Sequence, residues 1–156
     1  MRGHLTMLFI VLFASIPFLG QSQAATETDQ SAIVAFAQKA AVRAVNFQEG
    51  DVESLTRARA DFTAEGWKDF MKHMEGYLDP KGAPAFNSSF VPSGNARVVD
   101  EKDGIVHIRI PGTLKQSSKG SSTTYRAALD VRAGGNPIKI ERLEQITCAG
   151  ASTACQ

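Results

Sequence analysis

Little in this chain invites a catalytic reading. It has no G-x-S-x-G elbow, no H-E-x-x-H zinc pair, no phosphate-binding loop and no dinucleotide fingerprint, so the commonest hydrolase, metalloprotease and nucleotide chemistries lose their sequence support. It lacks a charge excess: 17 Lys and Arg stand against 16 Asp and Glu, which excludes the basic footprint expected of a nucleic-acid binder. Cysteine is limited to Cys148 and Cys155. A pair with no histidine nearby is short of ligands for a structural metal. Both lie beside small residues near the C-terminus, an unpromising setting for a nucleophile. No internal repeat and no domain linker is present, and no cofactor is expected.

What is there begins with a leader. Met1-Arg2-Gly3-His4 is weakly basic, an apolar run follows from Leu5 to residue 19, and Ser22-Gln23-Ala24 places small residues before a cut after Ala24. That is the three-part pattern of a secretory signal peptide, and the run is shorter than the roughly 20 residues a spanning helix needs. The expectation is a signal peptide over 1–24 and a single domain over 25–156, exported to the periplasm. The protein would be anchored in the inner membrane only if the leader stayed uncleaved. Export makes a Cys148–Cys155 disulfide the default state of the short, polar C-terminal tail.

The first half of the mature chain repeats at helical spacing. Ile33, Phe36, Ala37, Ala40, Ala44 and Phe47 recur every three or four residues, with Thr28 or Asp29 as the expected cap. Glu49-Gly50-Asp51 stops that helix, and Asp51 caps a second one marked by Val52, Leu55, Ala58 and Phe62. Thr63 caps a third through Trp67, Phe70, Met71, Met74 and Leu78, ended by Asp79-Pro80.

From Ala85 the period becomes two. Phe86, Ser88 and Phe90 form one strand, and Ala96 with Val98 and Val99 the next, closed by the turn at Asp103-Gly104. Val106, Ile108 and Ile110 alternate with His107 and Arg109, and Pro111-Gly112 predicts a bulge or bend before Leu114. Residues 116–122 read as a polar loop. Tyr125, Ala127, Leu129 and Val131 form a fourth strand. Ile138 and Ile140 begin the last, where Leu143 and Ile146 fall out of phase, predicting a bulge near Glu141-Arg142. Three helices followed by hairpin-linked strands make an α+β fold. One apolar face per strand implies a sheet covered on one side. Curled around the helices, it would form the cone of the nuclear-transport-factor-two-like fold.

Candidate sites are few. His107 and Asp130 could make an acid/base pair, but both occupy the polar phase of their strands and should face solvent, away from the cone. With Arg109, Arg126 and Arg132 they would form a polar contact surface on the open sheet face. His73 falls on the wet side of its helix. Asp61, Glu65 and Asp69 read as charges at a helix start. Trp67 and Phe70 should fill the space under the sheet, and Gly66 would let the backbone approach a neighbour closely. A cone lined by Phe36, Trp67, Phe70 and Tyr125 would instead suit a periplasmic small-ligand-binding module.

One stretch carries a resemblance. Phe36-Ala37-Gln38-Lys39-Ala40-Ala41, Val45-Asn46-Phe47, Leu55, and above all Phe62-Thr63-Ala64-Glu65-Gly66-Trp67-Lys68-Asp69-Phe70 resemble the periplasmic domain of the DotI/IcmL/TraM family. There an alanine-rich helix leads to an F-T-x-x-G-W-x-x-F segment. The likeness extends over roughly residues 33–147, including the strand ending in Pro111 and the run Asn136-Pro137-Ile138-Lys139-Ile140. It implies a non-enzymatic component of type IVB secretion or conjugative transfer machinery. Such a component works through partner proteins or self-association, and the family supplies no catalytic residues. The chain departs from the family in starting almost at once with a leader, where relatives carry a cytoplasmic segment before a membrane helix.

Overall fold

The computed structural model describes residues 22–148, with side chains from Asp29 onward. Three helices, α1 (Ser22–Val45), α2 (Val52–Arg59) and α3 (Ala64–Met74), are followed by a 3-10 turn (Glu75–Tyr77). Five strands then form one antiparallel sheet: β1 (Asn87–Pro92), β2 (Arg97–Lys102), β3 (Ile105–Ser118), β4 (Ser121–Gly134) and β5 (Lys139–Thr147). The order is β1-β3-β4-β5, with β2 also on β3. β1 and β2 share one edge of β3, β1 beside its second half and β2 beside its first. This is the expected α+β cone, helices packed on one face of a curved sheet.

Several boundaries follow directly from side-chain chemistry. Asp51 accepts from the Ser54 amide at the start of α2 and Thr63 from the Gly66 amide at the start of α3, each satisfying a first-turn donor that lacks a helical partner. α1 departs from expectation. It is already helical at Ser22, where the described residues begin, and runs through both Thr28 and Asp29, so neither is its cap, and 25–28 belong to the helix. Ala25 and Glu27 are good helix formers and Thr26 and Thr28 only modestly poor ones, and a helix under way extends at one hydrogen bond per residue.

The core forms between α1 and the concave sheet face. Ala37, Ala40, Ala41 and Ala44 are buried, and their small side chains let the α1 backbone come close to the strands. Opposite them lie Val106, Ile108, Ile110, Leu114, Leu129, Val131 and Ile140, all fully buried. Each contributes on the order of 1.5–3 kcal/mol over an exposed position.

Pro111 makes no bulge. β3 pairs with β4 in unbroken register from Ile105 to Ser118, and 106, 108, 110, 112 and 114 all stay buried, with Pro111 buried as well. The reason is position. Pro111 sits where β2 has ended and β1 has not begun, and its carbonyl accepts from the Ser93 amide at 2.9 Å. The missing donor therefore points into the gap between two edge strands, where no ladder needs it. The polar loop expected at 116–122 is strand instead. Only Lys119 and Gly120 turn, both at positive φ, as a two-residue hairpin requires. β2 is exposed along its whole length, so Val98 and Val99 do not reach the core. The bulge near Glu141 is present: Arg132 pairs with Arg142 and Ala133 with Ile140, leaving Glu141 as the extra residue.

Candidate functional site

The outer sheet face brings His107, Arg109, Asp130 and Arg132 together by register, since Arg109 pairs with Asp130 and His107 with Arg132. Arg126 lies further along β4, opposite Thr113. His107 Nε2 is 2.5 Å from Asp130 Oδ1, and its Nδ1 is 3.0 Å from Asp100 Oδ2 on β2. Arg109 approaches the other Asp130 oxygen at 3.4 Å. These side chains are tied together across β2, β3 and β4, with His107 and Asp130 only 13% and 16% exposed. The expectation of two solvated positions is corrected on that point. A small depression beside them is lined by Arg132, Arg142 and Glu144. Glu144 accepts from Arg142 and raises the guanidinium pKa above its ordinary value. For acid/base work in the cone, the histidine and aspartate would have to face the cavity. They face the other way.

The second assembly is built by residues 61–70, which dock α3 onto β5 at its bulge. Phe62 makes a parallel bridge with Ile140. The Ile140 amide donates to the Asp61 carbonyl at 2.8 Å, and the Ile140 carbonyl accepts from the Thr63 amide at 2.9 Å. Gly66 follows, buried, where a Cβ would lie 2.6 Å from the Ile140 oxygen and 2.7 Å from the Glu141 oxygen. Both are main chain and cannot swing aside. Phe62, Trp67 and Phe70 then pack as three rings with centroids 5.3–5.5 Å apart, a favourable aromatic spacing. Trp67 is half-buried rather than a filled core position, because its indole lies on the rim of this trio.

Asp61 bonds Arg43 of α1 at 3.0 Å, and only Glu65 sits in the first turn of α3. Asp69 is inside the helix, where its carbonyl accepts from His73 Nδ1 at 2.8 Å. The trio of acids at a helix start is corrected accordingly.

Beyond Gly66, α3 and β5 diverge and enclose a cleft of about 470 Å³. One wall is Phe70, Met74 and Tyr77, the other residues 143–147, and Phe47, Phe86 and Tyr125 lie between them. Phe86 packs edge-on against both Phe47 and Tyr77, with centroids 5.4 and 5.6 Å away. The Tyr125 hydroxyl donates to Gln116. Burial raises its pKa first and the neighbouring Tyr77 adds to this, against a lowering by a bond to Gln145. Of the four residues expected to line a cone cavity, Phe70 and Tyr125 do and Phe36 and Trp67 do not. Phe47, Phe86, Gln116 and Gln145 were not anticipated as neighbours. Their traces in the sequence are Phe47, which lies beyond its helix's end yet stays in phase, and Phe86, in phase with Ser88 and Phe90. Cys148 ends the described segment and Cys155 lies outside it, as do residues 1–21 of the expected leader.

No sequence-family profile and no curated protein matches the chain. Solved structures do. The periplasmic domain of DotI superposes with a TM-score of 0.62 at 19% identity, over 74% of this chain and 93% of that one. An IcmL-like type IV secretion system protein from Legionella pneumophila gives 0.65 at 11% identity, over 80% and 97%. A periplasmic fragment of TraM gives 0.55 at 12% identity, over 76% and 98%. The likeness is one of fold, and it bears out the resemblance drawn from residues 62–70. Among the described residues no helix is long and apolar enough to cross a membrane.

Proposed function

We propose that this protein is a periplasmic component or accessory of a type IVB secretion or conjugative transfer apparatus, exported by its leader and acting through protein–protein contacts without catalysis. The observation that carries this reading is the shared fold, which covers nearly the full length of each of three domains, one named for type IV secretion and two as periplasmic. Two features of this chain support contact over chemistry. The histidine–aspartate pair is turned away from the cleft, and the outer face carries His107, Arg109, Arg126, Asp130 and Arg132 as a mixed-charge surface suited to setting specificity with a partner. The partner is a component of the apparatus or a second copy of the chain.

Fold alone does not transfer function, so the test is direct. The full chain, carrying a photo-crosslinking residue at Arg132, is expressed in its native cell and the envelope fraction is irradiated. Adducts with secretion or conjugation components, or with the chain itself, are expected. An envelope that yields neither counts against the reading.

A further inference from the structure

The cleft exposes the edge of a strand. Residues 143–147 line it consecutively, although neighbouring side chains on a strand point to opposite faces, so the cleft runs along the β5 backbone. The Cys148 amide donates to the Arg126 carbonyl at 3.0 Å. From that pair the antiparallel register alternates. Residues 144 and 146 exchange bonds with β4, and the N–H and C=O groups of Leu143, Gln145 and Thr147 point into the cleft. Among the described residues none of these three has a main-chain partner on that side. A few residues earlier the same edge is closed, because Ile140 is bonded to Asp61 and Thr63. The opposite edge of the sheet is closed at β1 too, where Asn46 and Phe47 bond Phe90 and Ser88. Among the described residues β2 has no main-chain partner on its outer edge, but it offers no adjoining groove, being exposed along its whole length.

We propose that β5 is a peptide-binding edge: an extended, neutral segment of a partner protein adds to it as a further strand and sets alternate apolar side chains on Phe47, Phe86 and Tyr125. Strand addition joins main-chain bonds, which give affinity, to pockets for every second side chain, which give selectivity. The cleft supplies both. At about 3.3 Å per residue, the open stretch takes a segment of roughly five residues. Neutrality follows from the lining. Among the described residues it contains no lysine or arginine, its one carboxylate, Glu144, is held by Arg142, and its one histidine, His73, bonds the Asp69 carbonyl of its own helix. The inference rests on the protein-contact reading and names its surface and the kind of segment it takes.

The probe is a capped heptapeptide of alternating phenylalanine and threonine, added to the full chain while amide exchange is followed by NMR. Exchange at Leu143, Gln145 and Thr147 should slow by about tenfold or more, as it does when an open amide gains a bond. Gln145→Pro deletes one outward donor without touching the β4 ladder and should abolish that protection, while Gln145→Thr, which keeps the amide, should retain it. If circular dichroism shows Gln145→Pro unfolded, Thr147→Pro at the strand end serves instead.

Three results would overturn the proposal: protection on residues 97–102 instead, shifts confined to the Phe47 and Tyr125 rings as for a free small molecule, or full protection in the proline variant. Envelope crosslinking with the proline variant separates the two readings. Partners recovered unchanged would leave the contact function standing and remove this edge from it. Peptide binding with no envelope partner would do the reverse.

Discussion

α3 and β5 meet in two ways along one line. At the Gly66 end the backbones touch, the strand edge is bonded, and three aromatic rings close the gap. At the Tyr77 end the same two elements stand apart, with a cleft between them and a strand edge that has no main-chain partner on that side among the described residues. A glycine at the close end lets the helix pivot against the bulge, and that contact sets how far the far end stands away. The tight end is therefore the support on which the open end depends. The F-T-x-x-G-W-x-x-F segment has a physical account on these terms. Phe62 bridges, Thr63 caps, Gly66 permits contact, and Trp67 and Phe70 pack.

The comparison breaks most severely with Phe70→Ala, read by equilibrium denaturation. It removes a buried ring shared by both ends, at about 3–5 kcal/mol. Trp67→Ala, on the half-exposed rim, should cost about 2 kcal/mol in the same assay, below the buried-ring range.

Gly66→Ala drives a methyl group into two main-chain oxygens, and should cost about 2–3 kcal/mol from overpacking, outweighing the roughly 1 kcal/mol that alanine gains in a helix. It should also change amide shifts along β5. Thr63→Ala, which removes only the cap, should cost about 1 kcal/mol and leave the cleft's peptide affinity unchanged in a titration.

The tight end was legible in the sequence because its signals are local. A threonine cap, a glycine one turn later, and Leu143 out of phase after Glu141 each speak within a few residues. The open end was not, because Phe47, Met74, Phe86, Gln116 and Gln145 converge from five separate parts of the chain. Pro111 misled for a related reason. Its lack of a donor matters only if a partner strand lies opposite, and residue spacing alone does not reveal the gap between β1 and β2. The β3–β4 hairpin outruns the helices, so residues 116–122 need no apolar alternation to remain strand, and their polarity read as a loop. On the outer face, residue phase correctly placed His107 and Asp130 away from the core. The contribution of Asp100 depends on the bulge between Val98 and Asp100 in β2, which the sequence does not announce.

Amide exchange along β5 in the unliganded protein tests the central claim most directly. A strand closed at one end and open at the other should show Ile140 protected, then alternation, with Glu144 and Ile146 slow and Leu143, Gln145 and Thr147 fast. Uniform protection across residues 140–147 would mean that the edge is covered along its whole length, and would contradict the account.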